Sequence, residues 1–121
     1  MTRDELIRAL IDATSLVLRA EKGEIAFDVF LGAYGSFYYY YALDGHEAES
    51  DERRILNELD WAIELHRKVQ EEVLNHVYIG GDQDRAYLNR IGRIDPEQAK
   101  SRLSELCKEV GAEEILRRLS Q

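Results

Sequence analysis

Cysteine and proline are nearly absent from this sequence. One cysteine, Cys107, and one proline, Pro96, occur in 121 residues. A single thiol cannot form an intramolecular disulfide, and Cys107 lies in an apolar-periodic segment, so we expect a small buried side chain rather than a nucleophile. With one proline, little of the chain is expected to be linker. The length suits a single domain over residues 1–121 with its own hydrophobic core.

Long hydrophobic runs and an excess of positive charge are also missing. The N-terminus interleaves charges with apolar residues, unlike a signal peptide, and no run approaches the roughly 18 apolar residues of a transmembrane helix. We therefore expect a cytoplasmic protein that makes no use of a membrane. The net charge of −8 disfavours direct binding to nucleic acid, because such binding requires Lys and Arg to neutralise phosphates.

Signals for enzymatic or metal chemistry are weak. The glycine pair in IGGDQ lacks the Lys-Ser/Thr tail of a phosphate-binding loop, and the paired Glu-x-x-His motifs of di-iron bundles are absent. His66 and His76, ten residues apart on one predicted helix, would lie ~15 Å apart along its axis and cannot share one ion. Glu72 and His76 lie one turn apart but are expected on an ordinary helix surface. The sequence predicts no enzyme, metal or cofactor, although weak metal binding at His46, His66 or His76 stays open.

Aromatic and acidic residues are concentrated between Glu21 and Glu52. Eight of the ten Phe and Tyr residues lie there, including the four consecutive tyrosines Tyr38–Tyr41. The same stretch holds eight acids against one lysine, a net charge of −7, so the rest of the chain is nearly neutral. Aromatic residues beside uncompensated acids are typical of a surface that binds a basic partner.

Hydrophobic periodicity predicts an all-α fold, a compact bundle of four main helices with additional short helices. The predicted main helices run at about 2–20, 24–43, 50–76 and 95–110, and short helices at about 83–91 and 112–119. Thr2 with Glu5, and Asp95 with Gln98, fit the capping-box pattern. Ser50 is the expected cap of the third main helix.

The segment 24–43 admits two structures. Seven residues follow the i, i+3, i+4 spacing of an amphipathic helix: Phe27, Phe30, Leu31, Tyr34, Phe37, Tyr38 and Tyr41. Gly32 and Gly35 disfavour a helix, and the aromatic runs that flank GAYGS could instead form a β-hairpin. We favour the helix, in which Gly32, Gly35 and Ser36 would let a neighbouring helix approach closely.

The tyrosine run also indicates a binding surface. Successive helical residues are about 100° apart, so Tyr38 and Tyr41 continue the core-facing stripe while Tyr39 and Tyr40 point elsewhere. The acids expected at the same end are Asp44, Glu47, Glu49, Asp51 and Glu52. We predict that Tyr39, Tyr40 and these acids bind a basic protein partner. The alternative is a self-associating bundle in which the aromatic helix forms a homodimer contact.

The order of the central segments resembles that of a known family. It consists of a helix of type EIAFDVFLGAY, an acidic linker, the long helix RRILNELDWAIELH and a late IDPEQAKSRLSEL segment, covering about Lys22 to Leu106. This layout resembles the small acidic immunity proteins related to the colicin D inhibitor, which neutralise cationic tRNA-cleaving bacterial toxins. The resemblance implies an all-helical domain whose carboxylates mimic phosphates in a basic toxin active site. It matches no individual inhibitory residue, and the FYYYY run departs from the pattern.

Overall fold

Residues 1–45, 49–79 and 84–121 are described by the computed structural model, and most of them are helical. The helices are α1 (Arg3–Glu21), α2 (Phe27–Tyr34), α3 (Phe37–Tyr40), α4 (Ser50–Glu58), α5 (Asp60–Val69) with a π-helical turn at Gln70–Leu74, α6 (Arg85–Arg90), α7 (Pro96–Val110) and α8 (Ala112–Leu119). The predicted all-α class is confirmed. Within the described ranges, no helix is long and apolar enough to span a membrane.

Both predicted capping boxes are present, at the starts of α1 and α7. The Thr2 hydroxyl accepts a hydrogen bond from the Glu5 amide at 3.1 Å, and the Glu5 carboxylate accepts one from the Thr2 amide at 3.2 Å. Asp95 and Gln98 make the same pair of bonds, at 2.8 and 3.2 Å. Gly111 ends α7 in the left-handed region, at φ +75°. These local signals place both helices because they satisfy backbone groups that have no intrahelical partner.

The segment 24–43 is helical, so the hairpin is excluded, but it is not one continuous helix. Gly35 and Ser36 separate α2 from α3. A Cβ added to Gly35 would lie 2.7 Å from the carbonyl oxygen of Leu31, so the backbone is tight at this break. Apart from its own helix backbone and adjacent residues, no described atom lies within 4 Å of a Cβ added to Gly32, so the close helix approach expected there is wrong.

The predicted helix at 50–76 is divided as well. Leu59, with φ −106° and ψ 11°, interrupts the helical backbone between α4 and α5. Beyond Val69 the hydrogen bonding widens into the π-helical turn. Ser50 is the first helical residue rather than the cap; Glu49 occupies the cap position and makes no side-chain capping bond. In the described ranges, two of the four main helices expected are therefore divided into shorter ones.

The core lies where α1, α5, α7 and α8 meet, and α2 packs against α1. Among the largest fully buried side chains are Leu6, Leu10, Phe30, Tyr34, Ile63, Leu65, Leu103 and Leu106. Burial of each such side chain contributes about 1.5–3 kcal/mol, so this cluster is the main source of stability. Cys107 is buried against it as predicted, and burial raises the pKa of its thiol to about 12, which keeps it protonated and unreactive.

Candidate partner-binding surface

The exposed tyrosines lie on α3. Tyr38 is buried, whereas Tyr39 is 58 % and Tyr40 77 % exposed, in the orientation that the helical spacing predicts. The Tyr39 ring meets the Tyr38 ring edge-on with centroids 5.4 Å apart, and the Tyr40 ring meets Tyr41 at 4.9 Å. Each exposed ring is thus supported on one side by a more buried neighbour and open to solvent on the other. Edge-to-face pairs of this kind restrict the rings and prepare them for contact.

The predicted acids lie on both sides of a gap in the described chain. Asp44 is exposed in the turn that follows α3, and Glu47 lies outside the described residues. Glu49 and Asp51 are exposed at the start of α4, and Glu52 is half-buried beside them. Acids in this position interact favourably with the positive end of the helix dipole.

Asp44 lines a small cleft of about 220 Å³ together with residues of α4 and α5. Two bases, Arg53 and Arg67, line this cleft together with Asp44 and Asp60. Arg67 bonds Asp60 at 2.9 Å and also pairs with Glu64, and these acids raise the pKa of its guanidinium. The expectation that the acids near the tyrosines have no basic residue beside them is therefore wrong for Asp44. The fold places two arginines beside Asp44, whereas Glu49 and Asp51 are exposed at the start of α4.

A polar network that periodicity did not identify lies beneath the tyrosines. His66 is fully buried, and its two ring nitrogens contact the Thr14 hydroxyl at 3.0 Å and the Tyr34 hydroxyl at 2.7 Å. Burial lowers the pKa of His66 to about 3, so the imidazole is neutral at physiological pH. The only sequence signal was that Thr14, Tyr34 and His66 occupy positions in apolar helical stripes where a polar side chain must find a partner.

Ring contacts connect this network to the surface. His66 packs edge-on against Phe37 with centroids 5.0 Å apart, Phe37 against Tyr41 at 5.4 Å, and Tyr41 against Tyr40 at 4.9 Å. The series runs from a fully buried imidazole to a ring that is mostly in solvent. The position of Tyr40 therefore depends on side chains that reach into the core.

Of the residues considered for metal binding, His66, His76 and Glu72 have other partners. Both nitrogens of His66 are hydrogen-bonded, and Glu72 is paired with Arg102. His76 Nδ1 lies 3.2 Å from the carbonyl oxygen of Gly92, and His46 lies outside the described residues. In the part of the chain that the structure describes, no three His, Cys, Asp or Glu side chains are grouped to hold an ion.

A groove of about 1080 Å³ was not expected from the sequence. It lies between the end of α1, the π-helical turn and α7, and its lining is mostly charged. Those charges are largely paired with each other: Arg102 bonds Glu72 and Glu105, and Arg85 bonds Glu97 at 2.9 Å. Internal pairing of this kind leaves few groups to converge on a ligand, unlike a typical small-molecule site.

Comparison with known proteins gives no relative from which a function can be transferred. The chain matches no protein-family model, no curated protein and no solved structure. Function must therefore be inferred from the exposed tyrosines, the acids and the packing beneath them.

Proposed function

We propose that this protein is a non-enzymatic binding domain that holds a basic protein partner through Tyr39, Tyr40 and the neighbouring acids. The observation that carries the proposal is the 58 % and 77 % exposure of two adjacent tyrosines on a folded helix. Tyrosine offers a large contact area with little loss of side-chain entropy and is enriched in interfaces. Two such rings side by side are suited to the centre of a contact patch.

The charge of the surrounding surface supports a basic partner. Glu49 and Asp51 are exposed at the start of α4, and no salt bridge to either is found among the described residues. The whole chain carries a net charge of −8, which attracts a basic protein over a distance and raises the rate of encounter. Binding of this kind weakens as salt screens the charges.

The partner that we propose is a basic nuclease toxin, with this chain as its immunity protein. The support is the resemblance of the sequence layout to that of the immunity proteins related to the colicin D inhibitor. An enzyme that cleaves RNA must present Lys and Arg to phosphates. Exposed carboxylates such as Glu49 and Asp51 would occupy the positions of the RNA phosphates in the toxin active site. The tyrosines would add apolar contact area.

Self-association is the second candidate, because Val29 on α2 is 57 % exposed in addition to the tyrosines of α3. A homodimer that buried these side chains would leave no aromatic surface for another protein. Sedimentation velocity over a wide concentration range separates the two proposals. A stable wild-type dimer, together with a monomeric double variant Tyr39→Ser/Tyr40→Ser, would favour self-association.

The first proposal is tested by asking whether a larger gene directly upstream encodes a basic C-terminal domain, and that domain is then the binding probe. Binding is measured by calorimetry for Tyr39→Ser/Tyr40→Ser and for Glu49→Lys/Asp51→Lys. We expect each double variant to lose at least about 100-fold in affinity, since interface anchors each contribute about 2 kcal/mol or more. Circular dichroism should show an unchanged fold, because the four side chains are exposed.

The matched controls are Tyr87→Ser and Asp12→Lys, which remove an exposed tyrosine and an exposed acid elsewhere on the molecule. Both should bind the probe as the wild type does. Wild-type affinity in the two double variants would show that the surface is assigned wrongly.

A further inference from the structure

Among the described residues, no charged side chain contacts the imidazole of His66 to compensate a proton. Helix α1 presents the Thr14 hydroxyl to it, α2 the Tyr34 phenol and α3 the Phe37 ring. Beyond the phenol, the Cys107 thiol of α7 interacts with Tyr34. The neighbouring Arg67 on α5 is directed to Asp60 and Glu64, and no carboxylate of the described residues contacts the imidazole.

Hydrogen bonding does not oppose protonation, but burial does. In the neutral ring one nitrogen donates and the other accepts, and each hydroxyl can take either role. In the charged ring both nitrogens donate, and both hydroxyls can accept. The cost comes from placing a charge in an apolar core, and it lowers the pKa of His66 to about 3. His66 therefore takes up a proton in conformations in which water reaches the imidazole ring.

Helices α2 and α3 are the elements that most readily give water this access. Helix α2 has eight residues and α3 four, whereas α1 has nineteen and packs against four other helices. Short elements with less buried area open at lower cost than long core helices. Moving α2 and α3 breaks the Tyr34 bond and the Phe37 contact to His66 together.

We propose that the Thr14–His66–Tyr34 network is a proton-sensitive anchor, which holds α2 and α3 in place at neutral pH and releases them when His66 takes up a proton. Release moves Tyr39 and Tyr40 as well, because both lie on α3 and Tyr40 connects to His66 through Tyr41 and Phe37. The anchor thus makes partner binding at this surface dependent on pH, a consequence that rests on the proposed function. The release itself does not require a partner.

The test is hydrogen exchange of the protein alone, measured by mass spectrometry at pH 7.5 and 4.5 and expressed as protection factors. The reporter is the segment 27–41 and the reference is α7. For a ring with pKa 6.5 when open and about 3 when closed, linkage predicts that opening of 27–41 increases about 90-fold between the two pH values. Protection of α7 should change much less.

Two variants identify the group responsible. His66→Gln keeps a donor and an acceptor but does not titrate, so the pH effect on 27–41 should disappear. His76→Gln removes an exposed histidine and should behave as the wild type does. If His66→Gln does not fold, the wild-type ring is followed by NMR and should remain neutral down to pH 4.5 in the native state.

Three results would overturn the proposal: equal loss of protection in 27–41 and α7, the same loss in folded His66→Gln, or a native His66 ring that titrates near pH 6.5. None of them bears on the affinity of the Tyr39→Ser/Tyr40→Ser variant. Failure of the anchor and failure of the proposed binding function are therefore distinguishable.

Discussion

The Tyr34 hydroxyl lies 2.7 Å from Nδ1 of His66, and this bond joins α2 to α5 inside the core. Both side chains are almost completely buried, at 1 % and 0 % exposure. A hydrogen bond between buried groups contributes modestly while it is made, but an unpaired buried group is costly. The bond therefore influences stability most strongly when it is broken or when His66 takes up a proton.

Stability should fall as the pH drops below 6.5. The folded-state pKa of His66, about 3, lies below the unfolded value of 6.5, so the unfolded chain binds the proton first. Stability is then lost as pH falls from 6.5 towards 3, and we expect about 2 kcal/mol to be lost between pH 7.5 and 5. Urea unfolding at several pH values measures this. His66→Gln serves as the reference, and equal pH slopes for both proteins would refute the prediction.

Removal of one hydroxyl of the network should destabilise the fold. Tyr34→Phe and Thr14→Val each retain shape but leave a buried imidazole nitrogen without its partner. The expected loss is about 1–3 kcal/mol for each variant, measured by chemical denaturation. Tyr87→Phe, at an exposed position, is the control and should change stability by less than about 0.5 kcal/mol. Unchanged stability in Tyr34→Phe would mean that water replaces the hydroxyl.

The two glycines of the aromatic segment should respond oppositely to alanine. Gly32 lies inside α2 with open space around a Cβ, so Gly32→Ala should stabilise the protein by up to about 1 kcal/mol. At Gly35 the added Cβ would lie 2.7 Å from the Leu31 carbonyl oxygen, so Gly35→Ala should destabilise by about 1 kcal/mol or more. Thermal melts of the pair measure both signs. The same sign for both would show that the backbone at Gly35 has room for a Cβ.

The turn after α3 contains a residue that glycine should improve. Ala42 has φ +50°, a left-handed conformation that costs an alanine about 1–2 kcal/mol. Ala42→Gly removes this cost but adds flexibility to the unfolded chain, so we expect a net gain of about 0.5–1 kcal/mol. Ala33→Gly, at an exposed position inside α2, should instead lose about 1 kcal/mol. Denaturant midpoints measure the two changes, and a loss of stability in Ala42→Gly would contradict the strain argument.

Much of the candidate surface could be read from the chain alone. The 100° spacing of helical residues separates Tyr38 from Tyr39 and Tyr40, and the structure exposes these two as expected. The arginines beside Asp44 could not be anticipated in this way. Arg53 and Arg67 lie on later helices and reach the cleft only because α4 and α5 pack next to the end of α3.

What the sequence determined by itself was local. The all-α class, both capping boxes and the end of α7 at Gly111 follow from side chains that act on backbone groups within a few residues. Tertiary structure decided the rest. The partners of His66 lie 32 and 52 residues away in the chain, so its burial, its neutral state and its connection to the exposed tyrosines arise only when α1, α2 and α5 pack together. Long-range packing sets these properties because desolvation depends on which side chains surround a group, not on its neighbours in sequence.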